Sequence, residues 1–276
     1  MEPGSNPSYP SPSMVASVTV FDNSQVLGRV LAAEILERIR VAGGQGLPYL
    51  LGCPGGRSLR STYQALAQLV GKTRQDLSRL VIVMMDEYLH RFADGRFENC
   101  PADAPYGCVS FARREIRGQL NDELPQEYWL PLENIWVPDP ADPAAYDARI
   151  ESAGGIDLFL LASGASDGHV AFNPPGVALD SGAHIQELAE ETRRDNLETF
   201  PEFGSLEAVP SHGVTIGLGT ICRYSKEAVL VIHGSHKKAT ARRVWAAKEF
   251  DPAWPATIIH ACKNGRVFLD RAAAGA

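Results

Sequence analysis

Apolar and polar positions along the chain fall into two alternating patterns: short runs that are apolar throughout, and longer stretches with apolar residues three and four apart. The first pattern suits strands buried on both faces and the second suits amphipathic helices. VASVTVFD (15–22) is a strand candidate, and Asn23 or Ser24 can cap the helix that follows over 24–40. PYLLGCP (48–54) reads as a short buried strand, followed by a Gly-rich turn and a helix from about Ser58 to Val70. LVIVMMD (80–86) is the next strand. After a polar loop holding 99–106, residues 109–120 are helical, 129–139 lead to another strand, and 144–153 form a helix. Segments 156–163, 214–219, 228–234 and 266–270 supply the remaining strands, with a helix over 237–249 between the last two. Such alternation predicts an α/β fold: a doubly wound, mainly parallel sheet with helices on both faces.

Composition narrows the class without naming it. A chain of 276 residues, 45% hydrophobic and 21% charged, can bury a large core as one domain, expected over 16–276. Residues 1–15, rich in Pro and Ser, lack both a basic start and an apolar stretch, and read as a disordered extension and not a signal peptide. No segment is long enough to span a membrane, and a cytoplasmic location is expected. The formal charge of −7 argues against a nucleic-acid surface, so any anion site must be built locally. Cys53, Cys100, Cys108, Cys222 and Cys262 form no CxxC pair, which suits reduced thiols better than a disulfide frame or a metal site. There is no GxGxxG after the first strand and no GxxxxGK[ST], so neither a dinucleotide nor a P-loop reading has support.

Candidate chemistry gathers where strands end. The run IDLFLLASG (156–164) is followed by SDGHVAFNPPG (166–176), beyond the carboxyl end of a strand, where open α/β sheets place ligands. Asp167 beside His169 would fix the ring's tautomer and raise its basicity for proton transfer, although a turn with an Asx cap and a surface histidine fits the same residues. In CPGGRS (53–58), Gly55 and Gly56 let backbone N–H groups approach an anion at a helix N-terminus, with a hydroxyl from Ser58 and a guanidinium from Arg57. Lys237, at the start of a predicted helix after the strand AVLVIHG, could add a second anion contact. Asp86 closes the strand in MMDEY and would project into the same sheet edge, whereas a cap is as good a reading for Glu87 as a direct role.

These segments carry a family resemblance. SDGHVAFNPPG resembles the DGHIAFNEP signature of the glucosamine-6-phosphate deaminases and, more distantly, the DGHTASLFPG of the 6-phosphogluconolactonases. LGCPGGRSLRSTY (51–63) is similar to the sugar-phosphate loop, VIVMMDEYL (81–89) to the MDEY strand end, and 209–221 with 231–239 to the C-terminal part. The matches keep the family order and cover most of the chain after the first fifteen residues. The resemblance implies the superfamily's Rossmann-like fold and a role in carbohydrate metabolism. It also implies a sugar phosphate as small-molecule partner, no nucleic acid or membrane partner and no cofactor, and it leaves homo-oligomerisation open. It gives Asp86 the proton transfer between C1 and C2 of an opened sugar, His169 the ring opening, and Lys237 the phosphate. Tyr88 and the pair Phe172 and Asn173 lean toward the deaminase branch, while Arg57 is similar to the GGR of some lactonases.

Two departures bear on the activity. The deaminase motif ends in a glutamate that completes a carboxylate chain around the histidine, and here the position is Pro174. In LAEETRRDNLETF (188–200), which resembles a segment whose arginine grips the phosphate, that arginine is replaced by Glu198. A carboxylate facing a phosphate would be repulsive, so the expectation is a rearranged segment or a different ligand, with Arg57 or Arg194 taking over the anion and Arg193 structural. His184 and Gln186 stand where the allosteric bacterial enzymes are basic, and allosteric activation is not expected. The leading expectation is an isomerase-deaminase of a hexosamine 6-phosphate. The alternatives are a lactonase, whose chemistry needs no glutamate at 174, and a binding protein that has lost turnover.

Overall fold

The computed structural model describes residues 15–276, so the extension expected over 1–15 lies, Val15 apart, outside the described residues. In chain order come β1 (Ser17–Phe21), α1 (Ser24–Gly44), β2 (Tyr49–Cys53), α2 (Arg60–Thr73), β3 (Leu80–Met84), β4 (Asp86–Arg91) and β5 (Phe97–Asn99). A continuous helical stretch follows: α3 (Cys108–Phe111), a π-helical segment (Ala112–Gly118) and α4 (Gln119–Asp122). Then come β6 (Ile135–Trp136), α5 (Pro143–Ser152), β7 (Leu158–Leu161), β8 (His184–Glu187), α6 (Glu190–Thr199) and β9 (His212–Thr215). The chain closes with α7 (Leu218–Tyr224), β10 (Ala228–Ile232), α8 (Lys238–Ala246), β11 (Gly265–Asp270) and α9 (Arg271–Ala274).

Seven strands form a parallel sheet in the order β1-β11-β10-β7-β2-β3-β6. Its central strands are apolar throughout because both faces are covered. In β3, Leu80, Ile82 and Met84 pack under α1, α2 and the 108–122 helix, while Val81 and Val83 face the opposite core with Ile150 of α5, Ile221 of α7 and Val244 of α8. This is the doubly wound arrangement expected. Asn23 is the cap of α1, its side chain accepting from Val26 N at 2.9 Å.

Strand order reverses between β2 and β7: from β2 the chain builds outward through β3 and β6, then returns to place β7 on the other side of β2. Such a reversal opens a crevice at the carboxyl edge of the sheet. The loops leaving β10, β7, β2 and β3, four adjacent strands, therefore converge there. Two phenols pin this edge: Tyr63 donates to Pro54 O at 3.0 Å, and Tyr146 to Met84 O at 2.8 Å and Trp136 O at 3.0 Å.

The structure departs from the predicted elements in one major way. A second, antiparallel sheet of order β5-β4-β9-β8 stands beside the first. The predicted strand 80–86 is really two: the chain leaves the parallel sheet after Met84 and enters the second sheet at Asp86. Likewise the predicted strand 214–219 ends at Thr215 in the second sheet, and Leu218 and Gly219 already belong to α7. Tyr88 of β4 packs in an aromatic cluster with Phe172, Phe200 and Phe203, and Tyr88, Phe172 and Phe200 also line the crevice.

Candidate active site

The loop after β7 doubles back on itself. Asp167 Oδ1 accepts from the backbone N–H of His169 at 3.1 Å and lies 2.7 Å from its Nδ1, while Thr192 Oγ1 of α6 sits 3.3 Å from the same nitrogen. With Nδ1 engaged, Nε2 is the ring nitrogen left for chemistry. Burial works to raise the Asp167 carboxyl, but the hydrogen bond and charge of His169 outweigh it and hold the group below its ordinary value. Gly164 is required here by space: a Cβ would lie 2.3 Å from His169 Nδ1 and 2.7 Å from Asp167 Oδ1. Thr240 of α8 ties the loop down by donating to Gly164 O at 3.1 Å.

Asp86 is only 6% exposed, yet it lines the cavity. Burial pushes its carboxyl up to about 7; the neighbouring Glu87 charge adds to this, and a hydrogen bond from Cys108 Sγ and the proximity of His169 act against it. Glu87, fully buried, turns the other way. Its carboxylate accepts from the backbone N–H groups of Tyr88 at 2.8 Å, Cys108 at 2.8 Å and Val109 at 2.7 Å, capping the 108–122 helix. The two readings held open for Glu87 thus resolve into the cap.

Across the cavity lies a basic subsite. Gly56 has φ +82°, which favours glycine, and it lets the chain turn from β2 into α2. The first amide of α2 to bond inward is that of Arg60, to Arg57 O, so the amides of the glycine turn precede the helical ladder. Lys237, in the turn that opens α8, reaches back to donate to Ser58 Oγ at 3.1 Å and Ser163 O at 2.7 Å. Its ammonium is pushed down to about 8 by burial and by Arg57, with Asp195 opposing. His233 Nε2 donates to Ser58 O, 3.1 Å away, joining the β10 loop to the β2 loop.

Gly55, Gly56, Arg57, Ser58, Asp86, His169 and Lys237 line one cavity of about 280 Å³, and Asp167 stands directly behind His169. All eight residues singled out from the sequence therefore meet at the switch point. A model of the glucosamine-6-phosphate isomerases/6-phosphogluconolactonase family matches residues 22–269. The chain belongs to this family.

Curated relatives agree in both length and name. A glucosamine-6-phosphate deaminase of Shouchella clausii is 32% identical over 258 residues, covering 91% of this chain and 94% of the relative. One from Exiguobacterium is 36% identical over 222 residues, covering 79% of this chain and 78% of the relative. Among solved structures, a monomeric glucosamine-6-phosphate deaminase superposes with a TM-score of 0.78 at 25% identity, covering 94% of this chain and 99% of that one. The 6-phosphogluconolactonase of Leishmania guyanensis shares the fold, with a TM-score of 0.68 at 16% identity over 94% and 97% of the two chains.

The departures from the family pattern take definite places. The segment bearing Glu198 is not unravelled: it forms α6, which lays Asp195 and Glu198 along the cavity rim. Glu198 Oε2 lies 3.8 Å from the Arg57 guanidinium, both side chains largely exposed. Arg194 pairs with Glu190 on the outer surface, which leaves Arg57 as the arginine at the cavity. Arg193 donates to Leu206 O at 2.6 Å and Val209 O at 3.0 Å, and so fastens α6 to the following loop. Asn173 is buried and donates to Val170 O and Ile216 O, holding the loop against β9, while the partly buried Pro174 brings no carboxylate to the site. Sequence reasoning gave no role to Cys108, Asp195 or Thr192; folding brings Cys108 and Asp195 to the cavity and sets Thr192 against the His169 ring.

Among the described residues no helix is long and apolar enough to cross a membrane. The five cysteines are thiols, with Cys53, Cys100, Cys108 and Cys262 buried.

Proposed function

We propose that this protein is an aldose–ketose isomerase-deaminase acting on a hexosamine 6-phosphate, formed by residues 16–276 as one catalytic domain. The observation that carries the reading is the facing of two differently tuned groups. Asp86, with its carboxyl near 7, stands within electrostatic reach of the Asp167–His169 pair, and a basic subsite lies in the same cavity. A carboxyl in that range can both take and return a proton near neutral pH.

The phosphate is held by the amides at Gly55 and Gly56, by Ser58 and by Lys237, with Arg57 at the rim. His169, oriented by Asp167, moves the proton between the ring oxygen and the anomeric hydroxyl, and the sugar opens to its aldehyde. Asp86 then takes the C2 proton and delivers it to C1. The resulting ketose imine adds water and expels ammonia, leaving a ketose 6-phosphate, so the net reaction consumes one water for each ammonia released. The named relatives and the full-length match support this assignment.

Pro174 favours a second reading, in which His169 activates water against the carbonyl of a sugar-phosphate lactone. A panel of glucosamine 6-phosphate, galactosamine 6-phosphate and 6-phosphogluconolactone, scored for ammonia, ketose and acid, separates the two. Ammonia and ketose from a hexosamine phosphate are the expected products. Rapid lactone hydrolysis without ammonia would replace the deaminase assignment with the lactonase one.

A further inference from the structure

The cavity contains a buried thiol that the reaction as written does not use. Cys108 is 5% exposed, lines the cavity, and places Sγ 3.2 Å from Asp86 Oδ1. Its own backbone N–H donates at 2.8 Å to Glu87 Oε1. Two consecutive carboxylates of β4 therefore grip two different groups of one residue. Because Glu87 also caps Val109 N at 2.7 Å, the backbone of Cys108 is pinned beside Asp86, and its thiol can leave the carboxylate only by rotating about χ1.

We propose that Cys108 is a positioning residue for the proton-carrying carboxylate: its S–H holds one oxygen of Asp86 and leaves the other to face the substrate. The inference rests on the isomerase-deaminase reading and deepens it. A carboxylate that must reach both C1 and C2 needs a fixed plane, and a single-point hydrogen bond to one oxygen supplies it. The chemistry of sulfur suits the task. A thiol is a weak donor, so it orients the carboxylate while lowering its proton affinity less than a hydroxyl or an N–H would. The titratable groups around Asp86 are Glu87 and Tyr88 on β4, Tyr146 of α5, His169 from the loop after β7 and Cys108 at the head of the helix. Burial and Glu87 raise the Asp86 carboxyl, His169 and Cys108 lower it, and the thiol keeps the balance near neutrality.

Two measurements on the full-length protein test this. The first is the infrared S–H stretching band of Cys108, isolated as the difference between wild type and Cys108→Ala. It is expected below the frequency of a free thiol and to move toward that frequency in Asp86→Asn. The second is the pH profile of kcat/KM for ammonia release from glucosamine 6-phosphate. Cys108→Ala should move the acidic limb upward by about 0.5–1 pH unit, the size of one net hydrogen bond, and lower kcat with KM unchanged. Cys108→Ser, which keeps a donor, should bring the limb back to or below its wild-type position. A free-thiol band indifferent to Asp86→Asn, a Cys108→Ala profile superposing on wild type, or equal displacement by Ala and Ser would overturn the proposal. Failure of the wild type to release ammonia would instead overturn the deaminase reading, and the infrared band alone would then decide the role of the thiol.

Discussion

Asp167 Oδ1 engages His169 twice, at 2.7 Å from its ring Nδ1 and 3.1 Å from its backbone nitrogen, so one carboxylate oxygen fixes both the turn and the imidazole. Asp167→Asn keeps the shape but offers a weaker, uncharged partner to the ring. Turnover on closed-ring substrate should fall on the order of 10²–10⁴-fold, the usual scale for general acid–base catalysis. Steady-state assays with glucosamine 6-phosphate check this, and an unchanged kcat would remove the pair from ring opening.

Asp86→Asn should abolish isomerisation and deamination while leaving ligand affinity largely intact, because in the proposed reaction the carboxylate carries a proton and does not contact the phosphate. Titration calorimetry with a non-reacting sugar phosphate, alongside ammonia release, separates these effects. Loss of binding with normal turnover would contradict the role.

The same carboxyl links function to stability. Its folded value of about 7 lies above its ordinary value of 3.8, so the folded state holds the proton more tightly than the unfolded state does. The cost of ionising Asp86 is absent below about 4, grows between about 4 and 7, and is fully present above 7. Asp86→Asn should therefore gain stability over wild type progressively across that window. Thermal melts at pH 4, 6 and 8 test it, and a stability difference that narrowed with pH would contradict the buried, raised carboxyl.

Lys237→Ala should weaken binding of a phosphorylated ligand by roughly 1.5–3 kcal/mol, the scale of a charge-assisted hydrogen bond, and leave free sugars unaffected. With its ammonium near 8 in the free protein, the cation is lost as pH rises through that value. KM for a sugar phosphate should climb above pH 8 in wild type, and this rise should move to higher pH in Lys237→Arg. Equal affinity of wild type for a sugar and its phosphate would place the anion site elsewhere.

Under the proposed phosphate assignment, Glu198, 3.8 Å from the Arg57 guanidinium, would compete with the ligand for that cation. Glu198→Gln should lower KM for phosphorylated substrate severalfold, and added salt should shrink the gain, since both groups are exposed. A higher KM in the variant would mean that Glu198 binds the ligand directly.

Much of this protein was legible in local sequence because its causes are local. Continuous apolar runs such as 80–84 and 228–232 are what strands buried on both faces require, and their alternation with helices entails the doubly wound sheet. The glycine turn at 55–56 and the Asp-Gly-His turn at 167–169 announce themselves by chemistry packed within a few residues. The second sheet did not, because DEYLHR, HGVT and HIQE are short, largely polar strands, and the pairing of DEYLHR with HGVT that joins them spans more than a hundred residues. Their pairing is decided by where the parallel sheet leaves its edge. Tertiary structure also decided which of two adjacent carboxylates reaches the cavity. Asp86 and Glu87 look alike in sequence, but pleating sends consecutive side chains to opposite faces, Asp86 into the cavity and Glu87 into the head of a helix. The thiol of Cys108 and the carboxylate of Glu198 took their meaning the same way, from neighbours brought by folding and not by the chain.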